Sequence, residues 1–353
     1  MGLFDRFKSN KAAHLPKGAH ELNVKNVTQL TSESVQISFD IPEELKKSFQ
    51  YQAGQYLTLQ VEIDGQQERR SYSICSGPQE DLAIGVKKLE GGKVSTYLQQ
   101  IQKDQKIVVF EPEGGFILKP DYKKVVALAA GSGITPIMSM LKTAATDVRF
   151  QLIYGNKRPE LTLFLNEIQA QPNTTLHSFY SQVAVSGAQE GRIDEANFKA
   201  LIKADLHLLQ ADAYFLCGPQ GMVEMAEATL EFFGVAKNKI HKELFFATEA
   251  VAAISAPAFS GKSHVKMMLE GDIVEFDANS ADKSLLELAE KAGLDAPFSC
   301  RGGVCSSCRA KVLQGSAQMR MNHALTDAEV ANGYILTCQA HPTSENLIVS
   351  FDE

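Results

Sequence analysis

Cys300, Cys305, Cys308 and Cys338 stand in the spacing C-x4-C-x2-C, followed by a fourth cysteine after 29 intervening residues. Three thiolates on one loop and one far along the chain are the donor set of a [2Fe–2S] cluster. The loop from Cys300 to Cys308 is rich in Gly and Ser, so its backbone can curl around a metal centre and aim N–H groups at sulfur. Zinc is the rival metal, but structural zinc sites pair two short knuckles, and here there is one loop and one distant ligand. No His lies inside the loop, which argues against a centre in which two imidazoles replace two thiolates. Only Cys75 and Cys217 remain, too few for a disulfide framework, so a reducing cytoplasm is the expected location.

A second group of residues could hold phosphates. Gly131-Ser132-Gly133-Ile134-Thr135-Pro136 follows an apolar run and opens a helical pattern. Glycines let the backbone approach a pyrophosphate, and a helix N-terminus supplies free N–H groups. The motif departs from G-x-G-x-x-G by ending in Pro. An NAD site usually carries Asp or Glu about 20 residues further on, for the ribose 2′-hydroxyl. Here that place holds Asn156, Lys157 and Arg158, and two cations suit a 2′-phosphate, which points to NADPH over NADH. Glu160 nearby leaves NADH open. Cys217-Gly218-Pro219-Gln220-Gly221-Met222 puts a thiol at the end of another apolar run, where open α/β sheets bind ligands; a buried structural Cys is the plainer reading. Upstream, Arg70-Ser71-Tyr72-Ser73 and Gly92-Lys93-Val94-Ser95 offer charge, a stacking ring and a further anion site. Those are the needs of a flavin dinucleotide.

Three kinds of scaffold surround these motifs. Residues 21–30, 34–39, 56–63, 70–75, 82–87 and 107–110 alternate as short strands, with one helical stretch at 94–101, the pattern of a small antiparallel barrel. From residue 123 the rhythm becomes strand and helix in turn. Strands are expected at 125–129, 150–154, 175–180 and 213–216, and helices at 137–145, 160–170, 195–202 and 222–233. That order predicts a buried parallel sheet covered by helices. Residues 251–263, rich in Ala, Ser, Pro and Gly, read as a linker that would let the last module move. Beyond it, 265–269 and 272–277 read as a hairpin, 284–292 as a helix and 347–351 as a closing strand. His323 and His341 are expected at the surface, and Met319, Met321 and Leu325 in the core.

The net charge of the 353 residues is −7, and six of those excess negative charges fall within residues 263–353. No part of the chain is strongly basic, which disfavours nucleic acid. An acidic module suggests salt-sensitive docking to a basic protein surface. No apolar run reaches the roughly 18–20 residues of a membrane span, and no signal-peptide pattern opens the chain. The first residues approach a myristoylation signal, but Arg6 stands where Ser or Thr is wanted.

Taken in order, Arg70-x-Tyr72-Ser73, Gly92-x-x-Ser95, Gly131-x-Gly133-x-x-Pro136 and Cys217-Gly218-Pro219-x-x-Met222 resemble the motifs of the ferredoxin–NADP⁺ reductase superfamily. With a cysteine-bearing module at the C-terminus, residues 20–353 are similar to the reductase components of bacterial multicomponent oxygenases. The resemblance implies a multidomain chain. An antiparallel β-barrel for FAD would occupy residues 15–120 and an α/β parallel-sheet nicotinamide domain 121–250. A linker at 251–262 would lead to an α+β β-grasp ferredoxin domain at 263–353.

Carried over, Arg70 and Ser71 would contact FAD, Tyr72 would flank the isoalloxazine and Ser73 would approach its N5. Val86, Lys87, Gly92, Val94 and Ser95 would line the rest of that site. Gly131, Gly133, Thr135, Pro136, Cys217, Gly218 and Met222 would border the nicotinamide nucleotide, with Lys157 and Arg158 at its 2′-phosphate. Phe245, with Phe246 as the alternative, would cover the other flavin face. Tyr72, Ser73, Cys217 and Phe245 would therefore surround the reacting rings. The implied activity is electron transfer from NAD(P)H through FAD and the cluster to a protein acceptor. That acceptor would be an oxygenase component of aromatic catabolism, another hydroxylase or a hybrid-cluster protein. A non-catalytic redox sensor or zinc-stabilised module is the reading of a different class, and iron with acid-labile sulfide would separate the two.

Overall fold

The computed structural model describes residues 15–245, 261–279 and 283–353. Most of the expected linker, 251–262, and the alternative residue Phe246 lie outside the described residues.

The first unit is a six-stranded antiparallel sheet of β1 (Ala19–Thr31), β2 (Ser34–Asp40), β3 (Tyr56–Ile63), β4 (Gln66–Ser73), β5 (Ala83–Lys87) and β6 (Lys106–Phe110), with α1 (Lys93–Leu98) beside it. Its strand order is β4-β3-β6-β1-β2-β5. The two end strands approach each other where Ile74 and Ile84 form a single bridge, so the unit is an antiparallel sheet curled toward itself. Alternating residues of its strands, among them Leu22, Val24, Ile37, Phe39, Leu57 and Leu59, fill one apolar core.

The second unit is a parallel sheet of β7 (Lys124–Ala130), β8 (Arg149–Asn156), β9 (Thr174–Tyr180), β10 (Gln189–Glu190), β11 (Ala213–Cys217) and β12 (Ile240–Glu243). The helices α2 (Ile134–Thr143), α3 (Leu165–Gln169), α4 (Glu195–Ala204) and α5 (Gln220–Phe232) alternate with these strands. Strand order β10-β9-β8-β7-β11-β12 reverses direction between β7 and β11, so the chain leaves a crevice at their carboxyl ends. Strand β7 is buried on both faces from Val125 to Ala129, as a central parallel strand requires. The helix expected at 160–170 is shorter, because Phe164 adopts a left-handed φ of 57° and only α3 follows it. A β-carbon resists that conformation, so the chain turns there instead of continuing the helix.

The third unit packs α6 (Leu285–Lys291) over a mixed sheet of β13 (Ser263–Leu269), β14 (Asp272–Ala278), β15 (Arg309–Gln314), β17 (Tyr334–Leu336) and β19 (Asn346–Ser350), with β16 (Ala317–Met319) and β18 (Ala340–Pro342) paired separately. Strands β13 and β19 run parallel while their neighbours run antiparallel. Ser284 and Glu287 form a reciprocal capping box that starts α6, and Thr326 with Glu329 starts α7 (Asp327–Ala331) in the same way. Leu285, Leu286 and Ala289 of α6 join Val265, Met267, Leu347 and Val349 in the core. Met319 and Leu325 lie with them as expected, whereas His341 is buried and not on the surface.

Candidate functional site

The carboxyl ends of β7 and β11 meet as tightly as two backbones can. A β-carbon on Gly133 would sit 2.1 Å from the Cys217 carbonyl oxygen, so no other residue fits there. Gly131 takes a φ of 54°, and the Tyr154 hydroxyl donates to its carbonyl at 3.0 Å. Helix α2 begins at Gly133 with no side-chain cap, leaving first-turn N–H groups toward the crevice. This cradle suits a nucleotide pyrophosphate. Thr135 and Pro136 are buried in that first turn, and the Thr135 hydroxyl donates to Ser132 O at 3.0 Å. Gly218 abuts Ala130, and Met222 reaches over it. Lys157 and Arg158 are exposed just beyond β8, where Arg158 Nη2 donates to Gln182 Oε1 at 3.2 Å.

Strand β4 divides its side chains between two faces because alternate residues point oppositely. Arg70 and Tyr72 share one face. Tyr72 packs against the first core, and burial pushes its phenol upward, with nearby Arg70 opposing weakly. Arg69, Ser71 and Ser73 share the other face, and there the cysteine loop is seated. Ser71 Oγ lies 2.7 Å from Ser299 Oγ, and Arg69 Nη2 lies 3.5 Å from Asp295. The Arg69 guanidinium sits between the rings of Phe110 and Phe298, at 4.9 and 4.6 Å. From β3, the Tyr56 hydroxyl contacts Ser307 at 3.1 Å and donates to Glu113 at 3.4 Å, while Ser307 donates to Glu113 at 3.2 Å. Burial raises the Glu113 carboxyl. Val304 joins the core of the second unit, and Cys300 packs against it.

Ser73 also donates to Glu243 Oε2 at 3.4 Å, across 170 positions of chain. Burial pushes the Glu243 carboxyl up to about 8, the Ser73 hydrogen bond resisting. Cys217 is fully enclosed, and burial and then Glu243 drive its thiol well up. Ser73, Cys217 and Glu243 thus border one junction between the first and second units, with Phe245 packed against the core below it. Sequence reasoning assigned Glu243 no role: it ends strand β12, and the tertiary fold brings it to Ser73. Lys87 reaches from β5 toward Gly131. The Val86 and Val94 side chains are buried in the first core, and Ser95 Oγ donates to Gly92 O at 3.2 Å. These three side chains pack or hydrogen-bond within the first unit.

The four cysteines gather as two pairs. Cys300 Sγ lies 3.0 Å from Cys305 Sγ and accepts N–H groups from Gly302 and Cys305 at 3.3 and 3.4 Å. The Cys305 hydrogen bond and these N–H groups hold the Cys300 thiol below its ordinary range. Cys308 and Cys338 form the second pair, the former raised and the latter lowered by their mutual hydrogen bond. Among the described residues no three His, Cys, Asp or Glu side chains converge as they would on one metal ion. Two thiol pairs side by side instead match two irons with two cysteines each, so the donor set fits a [2Fe–2S] cluster better than a single zinc.

This assembly of sites is reproduced in known families. Residues 21–117 match the oxidoreductase FAD-binding domain, 127–228 the oxidoreductase NAD-binding domain and 267–343 the 2Fe-2S iron-sulfur cluster binding domain. The chain belongs to the ferredoxin–NADP⁺ reductase superfamily, in its form with a fused [2Fe–2S] ferredoxin domain. It is 33% identical to a component of 1,2-phenylacetyl-CoA epoxidase from Escherichia coli K12, over 94% of this chain and 98% of that protein. It is 30% identical to the ferredoxin reductase component of 3-ketosteroid-9-alpha-monooxygenase from Rhodococcus rhodochrous, over 96% and 99%.

Phthalate dioxygenase reductase shares the fold with a TM-score of 0.59 at 22% identity, over 95% of this chain and 98% of that one. An intact type IV self-sufficient cytochrome P450 monooxygenase does so with a TM-score of 0.70 at 19% identity, over 94% of this chain and 41% of that one. The protein is an NAD(P)H-dependent flavin and iron–sulfur oxidoreductase of the kind that supplies electrons to a partner oxygenase. No described helix is long and apolar enough to cross a membrane.

Proposed function

We propose that the chain is the NADPH-oxidising reductase component of an oxygenase of the phenylacetyl-CoA epoxidase type, acting in cytoplasmic aromatic catabolism. An FAD held by Arg70, Tyr72 and Ser73 would supply the conversion between a hydride's electron pair and the single electrons that a [2Fe–2S] cluster can carry. The chain's own residues hold the partners in register. Gly131, Gly133 and Gly218 receive the pyrophosphate, and Lys157 with Arg158 meets the 2′-phosphate. Arg70 holds the flavin nucleotide, and Tyr72 and Phe245 border its rings. Ser73, Cys217 and Glu243 enclose the junction where hydride would pass and keep water from it. Glu243, neutral through most of the physiological range, avoids placing a bare charge there and accepts Ser73's hydrogen bond. Cys300, Cys305, Cys308 and Cys338 ligate the cluster.

The observation that carries this reading is strand β4, whose Arg70 and Tyr72 occupy one face while Ser71, on the other, touches Ser299 beside the first cysteine. One strand therefore serves both redox sites. The acceptor is argued from the 33% identity that extends over 94% of the chain. Mixing the purified protein in air with NADPH, phenylacetyl-CoA and a phenylacetyl-CoA epoxidase oxygenase component tests it: product should form in proportion to NADPH consumed. NADPH oxidation that never yields product with that component would assign the reductase to another acceptor.

A further inference from the structure

The cysteine loop has one covered side and one open side. Ser299 and Ser307, each adjacent to a cysteine ligand, are engaged by Ser71, Tyr56 and Glu113 of the first unit. Val304 and Cys300 are packed against the second unit. An acceptor protein therefore finds those approaches occupied. Cys338 instead borders an open hollow of about 330 Å³, lined by Lys283, Ser284, Glu287, Arg320, Gln339 and His341. Gln339 Nε2 reaches both the Cys338 sulfur and the Arg301 carbonyl, which joins the wall of the hollow to the ligand loop.

The charge of the hollow differs from that of its module. Residues 263–353 are acidic as a whole, but Asp272, Glu275 and Asp277 lie along β14, outside the lining of the hollow. The lining itself holds two cations and one carboxylate. Lys283 stands 3.7 Å from Glu287 with both side chains well exposed, a pair of little strength in water. Arg320 is exposed and, among the described residues, makes no ion pair. We propose that this hollow is the docking surface for the acceptor protein, and that it fits a partner presenting carboxylates around its redox centre. Electrons would enter from the Tyr56 side and leave from the Cys338 side, with the module still seated on the flavin unit. The inference rests on the relay proposed above, and it reverses the expectation that an acidic module meets a basic surface.

The test is the double variant Lys283→Glu/Arg320→Glu, in the protein carrying both cofactors and at low ionic strength. Two protein probes of opposite charge are used: cytochrome b5, acidic at its haem edge, and cytochrome c, basic there. Background is measured in Cys308→Ser. The reversal should lower the cluster-dependent kcat/KM for cytochrome b5 about tenfold and raise that for cytochrome c, both effects fading with salt. A second readout needs no turnover: trisoxalatochromate(III), an anion, should broaden the cluster's EPR signal less in the variant than in the original chain. Lys25→Glu, on the first unit, should change neither. Unchanged probe ratios and unchanged broadening in the double variant would overturn the proposal. Failure of NADPH to produce any cluster signal in the original chain would instead overturn the relay on which it rests.

Discussion

Replacing Glu243 with glutamine keeps the shape and a hydrogen bond to Ser73 while removing a proton that burial holds unusually tightly. An ordinary glutamate titrates near 4.5 and this one is pushed up to about 8. The folded form thus binds a proton that the unfolded chain has already released, and native stability falls as pH rises through that window. Between pH 6 and 9 the full shift would correspond to nearly 3 kcal/mol, and structural relaxation should leave about 2 kcal/mol. The glutamine variant carries no such penalty. Relative to the original chain it should therefore gain about 2 kcal/mol over that interval, or about 8 °C in Tm for a unit of this size. The assay is thermal unfolding of both proteins at pH 6 and pH 9, followed through the flavin-domain signal. Equal pH dependence in the two proteins would refute the argument that Glu243 is protonated by its surroundings. The same substitution should move the upper pH limit of NADPH-driven flavin reduction, because the titrating group at the junction is gone.

Three further outcomes follow from the same geometry. Gly133→Ala would drive a methyl into the Cys217 carbonyl 2.1 Å away, so it should destabilise the second unit by roughly 2 kcal/mol or more, read by urea unfolding. Arg158→Ala should raise KM for NADPH about tenfold and leave NADH unchanged, the loss of one charge-assisted contact to a 2′-phosphate; an equal effect on both nucleotides would remove Arg158 from that role. Tyr56→Phe deletes a hydroxyl that touches both Ser307 and Glu113. It should weaken the seating of the cysteine loop by about 1 kcal/mol, seen as faster amide exchange in residues 303–309, with flavin reduction by NADPH preserved.

Short-range pattern carried much of this protein into view. The cysteine spacing, the glycine turns and the change from alternating strands to strand–helix pairs are local, because each is set by neighbouring residues and by the period of the backbone. Contacts joining distant segments had no such mark. Glu243 meets Ser73 across 170 positions and Tyr56 meets Ser307 across 251, so no window of sequence contains either pair. Arg69 drew no expectation from the sequence, and strand alternation sends it to the face opposite Arg70, between Phe110 and Phe298. His341 looked polar and therefore exposed, yet β18 turns it inward beside Cys338. The expected helix at 160–170 failed at Phe164, whose left-handed turn no propensity scale anticipates.

Rapid anaerobic mixing of the cofactor-loaded protein with NADPH, followed optically and by freeze-quench EPR, addresses the relay itself. The original chain should lose its flavin absorption first and then gain the cluster's EPR signal, whereas Cys308→Ser should show the first event without the second. A cluster signal that rises before the flavin bleaches, or that persists in Cys308→Ser, would contradict the proposed order of transfer.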